Sequence, residues 1–215
     1  MTGRCQPVPS GAGPAVVRAG ERDLEVLSQV IAGAFHDLAV SQWLIPDPDA
    51  RSVIFPGYFQ ILLQHALTAG LVCTTPRRTA AALWLPATGP VPPDREYARH
   101  LAQATGPFGE KFLAFDAELA RRHLTGVPHQ YLAILAVRPD TQGQGTGTAL
   151  LQDRHATLDR QGTAAYLEAS DERTRNLYLR RGYTDHGKPI ELPDGPRMYP
   201  MARIPGPRPQ REPAS

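Results

Sequence analysis

The chain has 215 residues, 41% of them hydrophobic, and its 23 Lys and Arg nearly balance 21 Asp and Glu, for a formal charge of +2. That length reads as one domain with chain enough to bury a core, and the scattered basic pairs Arg77-Arg78, Arg121-Arg122 and Arg180-Arg181 read as solvated faces, so no nucleic-acid partner is expected. No apolar run reaches the roughly 18 residues of a membrane helix, the N-terminal MTGRCQPVPSGAGP lacks a signal peptide's apolar core, and a cytoplasmic protein with no membrane partner is expected.

In chain order, residues 1–14 and 204–215 are rich in Pro, Gly and polar residues and read as disordered tails around a domain of 15–203. AVVR (15–18) reads as a short strand. Asp23 is placed to cap a helix over 24–36, where Leu24, Leu27, Ile31, Ala34 and Phe35 share a face. Pro46 and Pro48 break the chain. Asp49 then caps a second helix of about 50–69, with Pro56 as its kink or true start. Segments 71–75 and 79–86 form a hairpin around Pro76-Arg77-Arg78, GPVPPD is a loop, and helical patterns occupy 93–104 and 108–124. The continuous apolar run YLAILAV, 131–137, predicts a strand buried on both faces. A helix over 147–161, a strand over 164–169, a helix over 173–181 and strands near 183–191 and 197–203 complete a mixed α/β layer fold.

The segment VRPDTQGQGTGTALL, 137–151, carries the first chemical signal. A dinucleotide motif needs a third glycine where Thr148 or Leu150 stands, and a P-loop needs a lysine that is missing. The pattern Q-x-x-G-x-G fits Gln142, Gly145 and Gly147. A helix N-terminus leaves several N–H groups unpaired and holds about half a positive charge. A loop bare of side chains lets a pyrophosphate reach those groups. A plain glycine-rich βα turn is the alternative.

The second signal is LEASDERTRNLYLRRGY, 167–183, with Leu177-Tyr178 followed by Gly182-Tyr183. With the glycine loop, this resembles the GNAT superfamily of acetyltransferases. The resemblance implies a central mixed, mostly antiparallel sheet with a splayed parallel strand pair, flanked by helices. It implies acetyl-CoA as acyl donor, no metal, and transfer of acetyl to an amine. Carried onto this chain, it assigns donor binding to Leu135, Ala136 and Val137, to the loop Gln142, Gly143, Gln144, Gly145, Thr146, Gly147 and Thr148, and to Asp171. Backbone groups of Leu135 and Val137 would pair with the pantetheine arm, with the Val137 N–H as oxyanion donor. Tyr178 would protonate the leaving thiolate. VRPDTQGQGTG, YLEAS, LYLRRGY and LPDGPRMYPMARIP further resemble puromycin N-acetyltransferase-like enzymes of actinobacteria. Asp171 and Thr174 stand where such relatives carry Asn, Gln144 replaces a common Lys or Arg, and Leu38 replaces a tyrosine, which argues against puromycin itself.

The transfer also needs a base. Glu168 interrupts the apolar run AAYLEA, so its carboxylate either faces the cleft, where desolvation makes it a base acting directly or through water, or is a solvated strand residue. His36 and Asp37 are weaker candidates. Trp43, Phe55, Tyr58, Phe59 and Trp84 are aromatic residues that could line a bulky acceptor site. Cys5 and Cys73 cannot make a disulfide framework, and the seven histidines show no metal-ligand spacing. The expected function is acetylation of a small-molecule amine, an antibiotic or related metabolite. A protein or peptide acetyltransferase and a non-catalytic acyl-CoA sensor are the alternatives, and the choice between monomer and homodimer stays open.

Overall fold

In the computed structural model, which describes residues 14–89 and 95–205, the chain runs β1 (Val17–Arg18), α1 (Leu24–Phe35), α2 (Ala39–Leu44), α3 (Pro48–Ala69), β2 (Leu71–Thr74) and β3 (Ala80–Ala87). It continues through α4 (Arg95–Thr105), α5 (Gly109–Arg122), β4 (His129–Val137), α6 (Thr146–Gln161) and β5 (Ala164–Ala169). It closes with α7 (Glu172–Leu179), β6 (Thr184–Asp185), β7 (Ile190–Glu191) and β8 (Arg197–Arg203). The strands form one sheet in the order β1-β2-β3-β4-β5-β8-β6, with β7 also beside β8. All neighbours are antiparallel except β4 and β5. The mixed α/β, mostly antiparallel sheet expected from the sequence is present. The expected tails lie outside the described residues, apart from Pro14, Ile204 and Pro205, and so does most of the GPVPPD loop.

Helices cover both faces. On one side α1 and α3 bury Leu27, Ile31, Phe55, Phe59, Leu63 and Ala66 against the sheet, a stripe at helical spacing. On the other, Leu150, Leu151 and Leu158 of α6 and Tyr178 of α7 pack with Trp84, Leu167 and Tyr183. Pairing of β3 with β4 slips between Leu83↔Ile134 and Trp84↔Leu132, which leaves Ala133 as an extra residue in β4. The bulge reverses the alternation of faces. Leu132 therefore packs on the α6 side while Ile134 and Ala136 pack on the α1 side.

Several local expectations need correction. Asp23 does not cap α1. Its carboxylate accepts from the Gly20 N–H at 3.0 Å and from Arg78 Nε at 3.0 Å, tying the first loop to the β2–β3 turn. The cap of α3 is Asp47, which accepts from the Asp49 N–H at 2.9 Å, and Pro48 takes the first helical position, where its missing N–H costs nothing. Pro56 lies inside that helix instead of starting it. Helix α2 has no counterpart in the sequence reading. The strand expected over 183–191 breaks into β6 and β7 around the turn at Gly187, φ +75°. Finally, β4 is only partly buried. Leu132 on the α6 side and Ile134 and Ala136 on the α1 side are buried, but Tyr131, Ala133, Leu135 and Val137 are half-buried, and the whole run lines a cavity.

Candidate active site

The cavity opens where the sheet splits. Strand β4 pairs with β5 only at His129↔Ala164, Gln130↔Ala165 and Tyr131↔Tyr166, although β4 runs on to Val137 and β5 to Ala169. Beyond Tyr131 the two strands have no ladder between them. The backbone there faces the gap in a definite pattern. Arg138 N–H donates to Thr79 O on the β3 side at 2.8 Å, and N–H and C=O groups alternate sides along a strand. The groups of Val137 and Leu135 therefore point away from β3, into the split, while those of Ala136 point back into the sheet. The Val137 carbonyl is taken by Gln142 Nε2 at 3.0 Å. Gln142 thus anchors the loop to the end of β4, and its own N–H closes a 3-10 turn onto Pro139 O.

The loop that follows suits a phosphate cradle. Gly143 and Gly145 have φ of +78° and +80°, which favour glycine, and a Cβ at either would meet nothing within 4 Å. Gly145 caps α6, whose first helical bond is Ala149 N–H to Gly145 O. The N–H groups of Thr146, Gly147 and Thr148 come before that bond and have no partner inside the helix. Arg181 Nη2 reaches across from the end of α7 to Thr148 Oγ1 at 3.0 Å, and its buried Nε has no partner. This cation was not found by sequence reasoning, because residues 148 and 181 meet only through the fold.

The cavity holds about 1740 Å³, and its lining brings the expected residues together. Leu135 to Val137, Gln142, Gly143, Gly145 to Thr148, Glu168, Asp171 and Tyr178 all contribute. Gln144 does not line it and is exposed. Asp171 also caps α7, accepting from the Thr174 N–H at 2.7 Å. Tyr178 is 8% exposed, and burial, then the Asp171 charge, raises its phenol pKa, so it stays protonated at neutral pH. Of the aromatic candidates, Phe55, Tyr58 and Phe59 line the cavity, but Trp43 and Trp84 do not. Trp43 donates to Pro193 O at 2.8 Å instead, and Trp84 is wholly buried on the α6 side. His36 and Asp37 also fail to reach it. The His36 ring bonds Asp37 Oδ1, Pro48 O and Ser52 Oγ, a tie between α1 and the start of α3.

Glu168 sits at the split with its side chain 3% exposed. Its Oε1 is buried without a hydrogen-bond partner. Burial raises its pKa to about 7, and the phenols of Tyr131 and Tyr166 offset this only in part. Of its neighbours, His123 Nδ1 lies 3.9 Å from Oε1, and His123 Nε2 meets His129 Nε2 at 3.0 Å. Burial, then His129 and His186, lowers the His123 pKa to about 4, so this ring is neutral at pH 7 and does not pair Glu168 as a cation. A second carboxylate, Asp116 of α5, lines the same cavity, with Tyr97 Oη donating to its Oδ2 at 2.7 Å. Burial raises its pKa to about 6. Asp116 and Tyr97 carry no sequence signal, since each reads as an ordinary exposed position of an amphipathic helix. Among the described residues no group of three or more His, Cys, Asp or Glu could hold a metal ion, and no helix is long and apolar enough to cross a membrane.

Comparison with known proteins agrees with this geometry. Residues 111–185 match the model of an acetyltransferase (GNAT) domain. The fold is similar to a structure from Corynebacterium glutamicum described as histone acetyltransferase HPA2 and related acetyltransferase. The TM-score is 0.70 and the identity 25%, over 90% of this chain and 97% of the other. It also resembles a GCN5-related N-acetyltransferase from Rhodopseudomonas palustris (TM-score 0.55, 13% identity, 92% and 99% of the two chains). Arylalkylamine N-acetyltransferase 2 from Aedes aegypti shares the fold as well (TM-score 0.58, 13% identity, 88% and 97%).

Proposed function

We propose that this chain, which carries an acetyltransferase domain of the GNAT superfamily, moves acetyl from acetyl-CoA to the amine of a small molecule. The observation that carries this reading is Glu168, a buried carboxylate with an unpartnered oxygen at the split between β4 and β5. Acyl transfer between two bound partners is largely a matter of positioning. The loop from Gly143 to Thr148 and the Arg181 guanidinium would hold the pyrophosphate, and the free edge of β4 at Leu135 and Val137 would hold the pantetheine arm as an added strand. The Val137 N–H would polarise the thioester carbonyl. Glu168 would take the proton from the attacking amine, directly or through a water. Tyr178, which burial keeps protonated at neutral pH, would give its proton to the leaving thiolate.

An acceptor held between α3, α4 and α5 meets aromatic and carboxylate side chains, a setting for a bulky amine such as an antibiotic or related metabolite. The resemblance of several segments to puromycin N-acetyltransferase-like enzymes supports the same class. The C. glutamicum neighbour described as a histone acetyltransferase favours a second reading, a protein or peptide acceptor. A cytoplasmic location and a monomer or homodimer fit either reading. Release of CoA from acetyl-CoA, measured with a panel of hydrophobic amines and short peptides, separates them. Turnover with peptides alone would overturn the small-molecule assignment.

A further inference from the structure

The cavity is electrically divided. At its loop end it is lined by Arg173, Arg180 and Arg181. At the other end, the described lining residues from α1 to α5, β3 and β4 include no Lys or Arg, yet they include Asp116 and the exposed Glu96, which faces Arg99, and Glu168 of β5 lines the same cavity. The phenol of Tyr131, which lines the same cavity, feels the charge of both Glu168 and Asp116. Asp116 receives one hydrogen bond, from Tyr97, and no ion pair with Lys or Arg is formed to it among the described residues. The ring of Tyr58, whose phenol feels the Asp116 charge, lines the same cavity and packs on Phe112 with centroids 4.6 Å apart. A carboxylate largely out of water without a counter-charge is unfavourable in the free protein. Burial leaves Asp116 ionised at pH 7.5, since its pKa of about 6 is still lower.

One carboxylate suffices for the reaction. The attacking amine must be neutral, and its proton goes to Glu168. The second carboxylate, on α5 and tied to Tyr97, is not needed for that proton. A charge that stays on the substrate would match it, and aromatic rings beside a carboxylate favour an ammonium group. We propose that Asp116 is an ammonium-binding site and that the acceptor is a diamine, one nitrogen acetylated beside Glu168 while the other, protonated, rests on Asp116 between Tyr58 and Tyr97. This rests on the reading of Glu168 as the base.

The test compares 1,4-bis(aminomethyl)benzene with benzylamine, and 1,6-diaminohexane with hexylamine, by kcat/KM from CoA release and by calorimetric binding in the presence of CoA. Wild type should favour each diamine by about 30-fold or more, the order expected of a buried ion pair. Asp116→Asn should bring that ratio near one. Tyr97→Phe, which removes the tie but keeps the carboxylate, should retain the preference. Equal affinity for diamine and monoamine in the wild type would overturn the proposal. So would an unchanged ratio in a folded Asp116→Asn protein, or a Tyr97→Phe protein that loses the preference as Asp116→Asn does. Glu168→Gln separates the two readings: it should stop turnover while the Asp116-dependent difference in binding persists. Turnover that survives Glu168→Gln removes the base, whereas a binding ratio indifferent to Asp116 removes the diamine.

Discussion

Replacing Glu168 by Gln should remove activity and add stability. The carboxylate is 3% exposed and its Oε1 has no partner, and burial moves its pKa from an ordinary 4.5 to about 7. The folded state therefore holds the proton more tightly than the unfolded chain. Below about pH 4.5 both states are protonated and folding bears no penalty. As pH rises from there through about 7 the penalty grows, and above 7 it is complete. A displacement of this size corresponds to roughly 3 kcal/mol at pH 8. Glutamine cannot ionise, so Glu168→Gln should be more stable than wild type at pH 8 by up to about 3 kcal/mol, or roughly 6–12 °C in Tm for a domain of this size. At pH 4.5 the two should melt together. Activity should change the other way: kcat/KM should fall by about 10²–10⁴ on loss of a general base. In the wild type, kcat/KM should rise about tenfold per pH unit below 7 and level off above it. Denaturant melts at pH 4.5 and 8, together with a pH profile of CoA release, measure all of this. A flat profile between pH 5 and 7, or a Gln variant of undiminished activity, would refute the base role. A variant no more stable than wild type at pH 8 would refute the claim that the carboxylate is held ionised against its burial.

Three further outcomes are expected. Acetyl-CoA should raise the Tm of the wild type by mass action, and Gly145→Glu should abolish that rise, because it forces a side chain into φ +80° and sets a carboxylate in the space open to phosphate; a retained shift in a folded variant would sink the loop assignment. Tyr178→Phe should lower kcat by roughly 10² with little change in acetyl-CoA binding, and an unchanged kcat would leave Tyr178 as packing between α7 and Tyr183. Leu38 lines the cavity, so Leu38→Tyr should raise kcat/KM for puromycin from a poor wild-type value; a wild-type value already near 10⁴ M⁻¹s⁻¹ or more would show that the leucine is no obstacle.

What the sequence disclosed was what depends on neighbours in the chain. The Gln142–Gly147 pattern, the apolar run of β4 and the Tyr178 segment each fit within one strand–turn–helix unit, and each lies where expected. Glu168 was visible as a charge inside an apolar strand. Its burial was not, because that depends on Tyr131 and His123 arriving from other elements. The caps were misplaced for a related reason. Asp23 and Asp49 have the right residue type at the right offset, but Arg78 claims the first from 55 positions away, and Pro48 moves the start of α3 so that Asp47 does the work. The bulge at Ala133 left no mark at all. An uninterrupted run of apolar residues cannot show which of them faces a gap in the sheet. Asp116 looked like the polar side of a helix, and only the approach of α4 and β4 encloses it.

The loop end of the cavity shows how the fold restores what the sequence omits. Gln144 brings no charge to the loop, is exposed and does not line the cavity. Arg181 brings a guanidinium to the same helix terminus from 33 residues further on, held by Thr148 Oγ1. In isolation this is an unfavourable arrangement. A cation beside a helix N-terminus opposes the helix dipole, and the buried Nε of Arg181 has no partner to repay its lost water. An anion between them reverses the sign, since the dipole, the free N–H groups of α6 and the guanidinium would then all attract it. The opposite end holds the carboxylates of Glu168 and Asp116 with the exposed Glu96, and no Lys or Arg lines it among the described residues. The two halves thus suit partners of opposite charge: a polyphosphate where α6 begins, and a cationic amine where α4 and α5 close over Asp116.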